Sequence, residues 1–233
     1  MQTLGVDLAS QPRTTAACLI NWQPGRAHVE HLEVGVDDQR LIELAEMAEK
    51  VGLDVPFGWP DAFVTAIAAH HQLKPWPTGE NRELRLRRTD VSVWEQTGRQ
   101  PLSVSSDKIA MPAFRAARLL SRWDADRTGD GKFVEVYPRA ARDRFKLSRT
   151  RSLDELRGRA PWLDLNSDAA TKCEQSEDCF DALIAALTTR ASAVNLCEPI
   201  PEADRESARR EGWIALPLHG TLERLIATPA YPT

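Results

Sequence analysis

The chain lacks any run approaching the ~18 apolar residues of a membrane-spanning helix, so no such span is expected. Its start, MQTLGVDLA, has neither the charged n-region nor the apolar h-region of a secretory signal, which predicts a cytoplasmic protein. The four cysteines, Cys18, Cys173, Cys179 and Cys197, form no C-x-x-C pair. That excludes the spacing of a zinc site or a disulfide framework and predicts reduced thiols. Internal repeats, low-complexity segments and clear linkers are missing too, which makes 1–233 a single domain. Positive charge is not in excess either: a net charge of −4 argues against a protein that coats nucleic acid. What is present is 42% apolar and 27% charged residues, a balance that builds an ordinary core.

The order of elements predicts an α/β fold. TLGVDLA is a short apolar run ending in Asp7, and TAACLINWQ and AHVEHLEVG flank the turn Pro24-Gly25 as a hairpin. Asp37-Asp38 suits an N-cap for the helical pattern LIELAEMAEKVG. VGLDVPFGWP reads as a buried parallel strand stopped by Pro56, with Asp54 near its end. After the helix DAFVTAIAAHHQ comes a Pro- and Arg-rich stretch, 74–112, too long for an ordinary connection and expected to be an irregular insertion, lid or binding loop. PAFRAARLLSRW reads as helix, KFVEVYPRA as strand, Asp178–Asn195 as helix and GWIALPL as a late edge strand.

Acids recur at the strand ends: Asp7, Asp54 and Glu135, with Asp178 and Asp181 on the last long helix. Carboxylates suit helix N-termini, which accounts for Glu177 and Asp178 better than for Asp181 inside the first hydrophobic turn. Spaced i, i+3, Asp178 and Asp181 share a helical face and could hold a divalent cation. Sites in open α/β sheets form outside the carboxyl ends of the strands, and acids buried there are unfavourable unless paired, hydrogen-bonded or bound to metal.

Arg82–Arg88 (RELRLRR) and Arg139–Arg151 (RAARDRFKLSRTR) are strongly basic. A basic groove beside an acidic site is compatible with a phosphodiester substrate, and solvated helix faces would give the same pattern. Trp59, Trp76 and Trp94 would either stack bases or pack the insertion. DADRTGDGKFVE, Asp124 to Glu135, partly matches a calcium loop, but the strand-like KFVEVYP after it favours an acidic, glycine-rich turn. His70-His71 reads as an exposed helix end.

The order strand-Asp7, two hairpin strands, helix, strand-Asp54 and a late helix with Asp178-x-x-Asp181 resembles the RNase H-like superfamily, in particular its junction-resolvase branch. More closely, GVDLA, LDVPFGWP, RRTD, VEVYP and DCFDALIAALTTRA resemble the bacterial family called domain of unknown function 429, itself predicted to be an RNase H-like nuclease. The resemblance implies a mixed five-stranded sheet flanked by helices, with a carboxylate cluster that binds Mg²⁺ or Mn²⁺. It implies catalytic roles for Asp7, Asp54, Asp178 and Asp181, with Asp7 bridging the metals. Asp54 stands where the superfamily often has the longer Glu, so Glu135 is expected to complete the metal ligands of Asp7, Asp54 and Asp181. Two cations about 4 Å apart would activate a water and stabilise the leaving oxygen. Arg87, Arg88 and Asp90 of RRTD are candidate substrate contacts, because guanidinium binds phosphate in a bidentate way. The expected activity is metal-dependent hydrolysis of a nucleic acid or nucleotide; the alternative is a non-catalytic nucleic-acid or protein-binding module on the same fold. Actin-like sugar kinases share the central sheet, but Asp7 is followed by Leu8-Ala9-Ser10-Gln11 without a glycine-rich phosphate loop.

Overall fold

Successive side chains of a strand alternate between faces, so Thr3, Gly5 and Asp7 share one side of the first strand while Leu4 and Val6 share the other. In the computed structural model, which describes residues 1–77 and 79–226, that strand, β1 (Gln2–Asp7), lies in the middle of a mixed sheet. Chain order continues with β2 (Ala16–Gln23), β3 (Arg26–Val34), α1 (Asp38–Met47), β4 (Lys50–Asp54), α2 (Asp61–His71), α3 (Asn81–Arg85), α4 (Arg88–Thr97) and α5 (Asp107–Arg122). Then follow β5 (Phe133–Glu135), α6 (Pro138–Arg144), α7 (Leu153–Arg159), β6 (Leu163–Asp164), α8 (Ser167–Gln175), α9 (Glu177–Ala193) and α10 (Arg205–Glu211). The sheet order is β5-β4-β1-β2-β3-β6. The β1–β2 and β2–β3 pairs are antiparallel, whereas β4 joins β1, β5 joins β4 and β6 joins β3 in parallel.

Each face of the sheet buries its own core. Leu4 and Val6 pack with Leu41 and Leu44 of α1 and Leu119 and Leu120 of α5. On the other face Cys18 and Ile20 pack with Phe180, Leu183 and Leu187 of α9. The seat for α9 is made by two glycines, Gly5 and Gly52, which are register partners across β1 and β4. A Cβ on Gly5 would come within 2.0 Å of the Ala186 amide nitrogen, and one on Gly52 within 2.0 Å of Thr189 Oγ1. Only glycine lets the helix axis approach this closely. Thr3 Oγ1 donates to Ala186 O at 3.2 Å and fixes the contact. Two residues beyond each glycine, on the same face, stand Asp7 and Asp54.

This is the mixed α/β sheet flanked by helices expected from the sequence, with differences in detail. The sheet has six strands instead of five, because the two-residue β6 extends it beyond β3. GWIALPL is no strand: it runs beside β5 through the single bridge Glu135–Ile214. The segment expected to be irregular carries α3, α4 and the first turns of α5, which begins at Asp107 with Pro112 inside it. The calcium-loop resemblance is answered by Lys50, whose Nζ donates to Gly129 O at 2.6 Å and to Gly131 O at 2.5 Å. An ammonium thus sits against the loop, whose twelfth position, Glu135, lies on β5 instead of on a second helix. His70 and His71 end α2 exposed. Among the described residues no helix is long and apolar enough to cross a membrane.

Candidate active site

Asp7 and Asp54 end adjacent parallel strands and are register partners, so their carboxylates leave the sheet side by side. Asp181 reaches them from the first turns of α9, a helix capped by Ser176, whose side chain accepts from the Cys179 amide at 3.2 Å. With α9 seated on Gly5 and Gly52, its N-terminal end is carried over the carboxyl ends of β1 and β4. The connection after Asp7 is held by the buried Arg115, which donates to Ala9 O at 2.9 Å and to Asp38 at 2.6 Å.

The acids disturb one another's ionisation. Asp7 is pushed from its ordinary 3.8 up to about 7, first by burial and then by the charges of Asp181 and Asp178. Asp54 is held well above the carboxylate range by burial, with Asp7, Asp181 and Glu135 adding repulsion. Asp178 is raised by burial and by Asp181. Asp7, Asp54 and Asp181 line one cleft of about 440 Å³, with Lys108, Arg139 and Arg151 among its walls. Asp178 is not among the lining residues and stands half-exposed one turn away. Arg151 grips Asp181, Nη2 to Oδ2 at 2.6 Å, and also reaches Glu177 at 3.0 Å.

Four further expected site residues, Arg87, Arg88, Asp90 and Glu135, are held in ion pairs, and of these Arg87 and Glu135 also line the cleft. Glu135 pairs in register with Leu53 rather than with Asp54, so the pleat turns it to the other face. There both its oxygens are engaged: Arg87 donates to Oε1 at 2.7 Å and to Oε2 at 2.8 Å, and the Phe57 amide donates to Oε2 at 2.9 Å. Arg87 itself is only 2% exposed and also pairs with Asp90 at 2.8 Å. Arg87, Asp90 and Glu135 therefore form a buried ion network that ties α4 to β5. Arg88 points away from the cleft, pairing with Asp204 at 2.9 Å while 58% exposed. Both basic segments reach the cleft, the first through Arg87 and the second through Arg139, Arg142 and Arg151. Trp59 stacks on Phe114 at 5.7 Å; the partly exposed Trp76 meets His70 edge-on at 5.8 Å, and Trp94 carries Arg82 over its ring at 5.2 Å. Lys108, Tyr137 and Arg142 also line the cleft and were not singled out from the sequence; for Arg142 the basic run was the only signal.

The donors suit a hard divalent cation chemically: all are carboxylate oxygens, and two are strained toward the neutral form by burial and mutual repulsion. Among the described residues no three acidic, histidine or cysteine side chains are grouped closely enough to hold a metal ion. A larger cavity of about 830 Å³ opens beside Lys50 and Gly129, at the amino end of the parallel strands, and contains none of these acids.

No curated protein matches the chain. Among solved structures, a Thermus thermophilus RuvC structure is similar at 13% identity and a TM-score of 0.38, covering 84% of this chain and 96% of its own. The family described as "Protein of unknown function (DUF429)" matches residues 5–206. The chain belongs to the DUF429 family.

Proposed function

We propose that the protein is a metal-dependent phosphodiester hydrolase of nuclease type, acting in the cytoplasm on a nucleic acid or nucleotide. The observation that carries this reading is the register pair Asp7–Asp54 beneath Asp181, three acids in one cleft where burial and then repulsion push Asp7 up to about 7. Such a cluster is unfavourable by itself and favours a cation. Asp7, Asp54 and Asp181 would hold Mg²⁺ or Mn²⁺, and Asp178 adds negative potential from one turn away. When bound, the ion supplies Lewis-acid activation of water and charge stabilisation at the leaving oxygen. Arg139 and Lys108 on the walls would attract and orient phosphate, and Arg151, paired with Asp181, would be a further phosphate contact.

The test is a cleavage assay on a panel of single- and double-stranded DNA and RNA, with Mn²⁺ or with chelator, for wild type and Asp7→Asn. Metal-dependent cleavage lost in the variant is expected. Metal and substrate binding without cleavage of any panel member would replace the hydrolase by the non-catalytic binding module.

A further inference from the structure

Arg142, on α6, is 6% exposed, yet it forms no ion pair among the described residues. Its Nε has no hydrogen-bond partner, and its Nη1 makes only a long bond of 3.4 Å to Arg149 O. Of the other buried arginines, Arg190 donates to Leu225 O and lies over the Trp22 ring, and Arg144, whose Nε is also without a partner, keeps an ion pair. Arg87 is enclosed by two carboxylates, Arg115 donates to Asp38 and to backbone carbonyls, and Arg144 reaches Glu198 and Gln96. The buried Nε lacks a partner, and an anion in the spaces that Arg142 lines would complete its guanidinium. Burial accordingly pulls its proton affinity below the ordinary arginine value.

The surroundings of Arg142 describe that anion. It faces a cavity of about 130 Å³ that Arg99, Arg139, Arg149, Ser148 and Asp143 also line. Asp143 is committed to Arg99, at 2.6 and 3.1 Å, which leaves Arg139, Arg142 and Arg149 without a carboxylate among the described residues. The space equals the liquid volume of about four waters, enough for a phosphoryl group and too small for a nucleoside. Arg139 and Arg142 also line the carboxylate cleft, so the two cavities share a wall.

We propose that this cavity is a phosphate subsite, with Arg142 as its floor, that holds a phosphoryl group of the substrate next to the one at the carboxylates. The proposal rests on the phosphodiester reading of the cleft and adds that the substrate carries a second phosphate. That group is either a terminal monoester or the neighbouring backbone diester; both present the same tetrahedral oxyanion.

The test measures metal-free binding, in chelator, of inorganic phosphate, of a 5′-phosphorylated oligonucleotide and of the same oligonucleotide with a 5′-hydroxyl. Wild type, Arg142→Gln and Arg149→Ser are compared; the last alters an exposed residue, so its fold is not at risk. Wild type is expected to bind phosphate, Arg142→Gln to lose at least tenfold in affinity and Arg149→Ser severalfold, with Mn²⁺ affinity unchanged in Arg149→Ser. A preference for the 5′-phosphorylated oligonucleotide that disappears in Arg142→Gln assigns the subsite to a terminal phosphate; equal losses for both oligonucleotides assign it to the backbone. Equal phosphate binding by wild type and both variants, or none by wild type, overturns the proposal. Arg142-dependent phosphate binding in a protein that cleaves nothing would keep the subsite and remove the hydrolase.

Discussion

Asp7 and Asp54 are register partners across the parallel pair β1–β4, and their carboxylates share one cleft. In the folded protein Asp7 keeps its proton up to about 7, against its ordinary 3.8. Between those values the folded state binds a proton that the unfolded chain has released, so stability falls as pH rises through that window. Denaturant unfolding of the metal-free protein should therefore show its midpoint dropping from about pH 4 to about pH 7. Asp7→Asn should flatten the drop and gain on the order of 1–3 kcal/mol at pH 8. A midpoint that rises through the window would contradict the repulsion.

Glu135 predicts the opposite sign. Its oxygens satisfy Arg87 and the Phe57 amide in the interior, and removing one partner of a buried ion pair costs about 3–5 kcal/mol. Glu135→Ala should lower thermal stability by that order at every pH, while Asp7→Asn raises it at alkaline pH. Equal stability of Glu135→Ala and wild type would release Glu135 from this structural role.

Much of this arrangement is legible in the sequence. Apolar runs ending in Asp7 and Asp54, bounded by Pro56 and Gly58, identify β1 and β4, and the length and apolar character of α9 place Asp181 on a helix. Pairings between residues far apart in the chain leave no such trace. Arg87 meets Glu135 across 48 positions, and in RRTD it reads like any solvated guanidinium. Arg142 in RAARDR likewise looks like an exposed helix face, but α6 is packed so that its side chain is buried. The two residues of β6 are too few for periodicity to register, and α3 and α4 are hidden by the prolines and arginines around them.

Gly5 is predicted to be irreplaceable. An alanine Cβ would meet the backbone of α9 at 2.0 Å, where no side chain can move aside. Gly5→Ala should destabilise by about 3 kcal/mol or more, the upper range for overpacking, and any folded fraction should have Asp181 displaced from Asp7. Wild-type melting temperature in this variant would refute the seating of α9 on the glycine pair.

Arg151 competes with a cation for Asp181. The pair is partly exposed, so Arg151→Ala should change stability by less than about 1 kcal/mol. Freed of its partner, Asp181 should bind Mn²⁺ severalfold more tightly, as read by calorimetry in the absence of substrate. Weaker Mn²⁺ binding in Arg151→Ala would show that the arginine organises the site instead of closing it.

The most direct measurement is a calorimetric titration of Mn²⁺ into wild type, Asp7→Asn, Asp54→Asn and Asp181→Asn, with thermal unfolding of each confirming the fold. Wild type should bind the ion, and at a hundredfold excess over the dissociation constant gain about 2.7 kcal/mol of stability. Each Asn variant should remain folded and lose at least tenfold in affinity, because each removes one charged oxygen ligand from the same site. Equal Mn²⁺ affinity in all four proteins would contradict a common metal site at Asp7, Asp54 and Asp181.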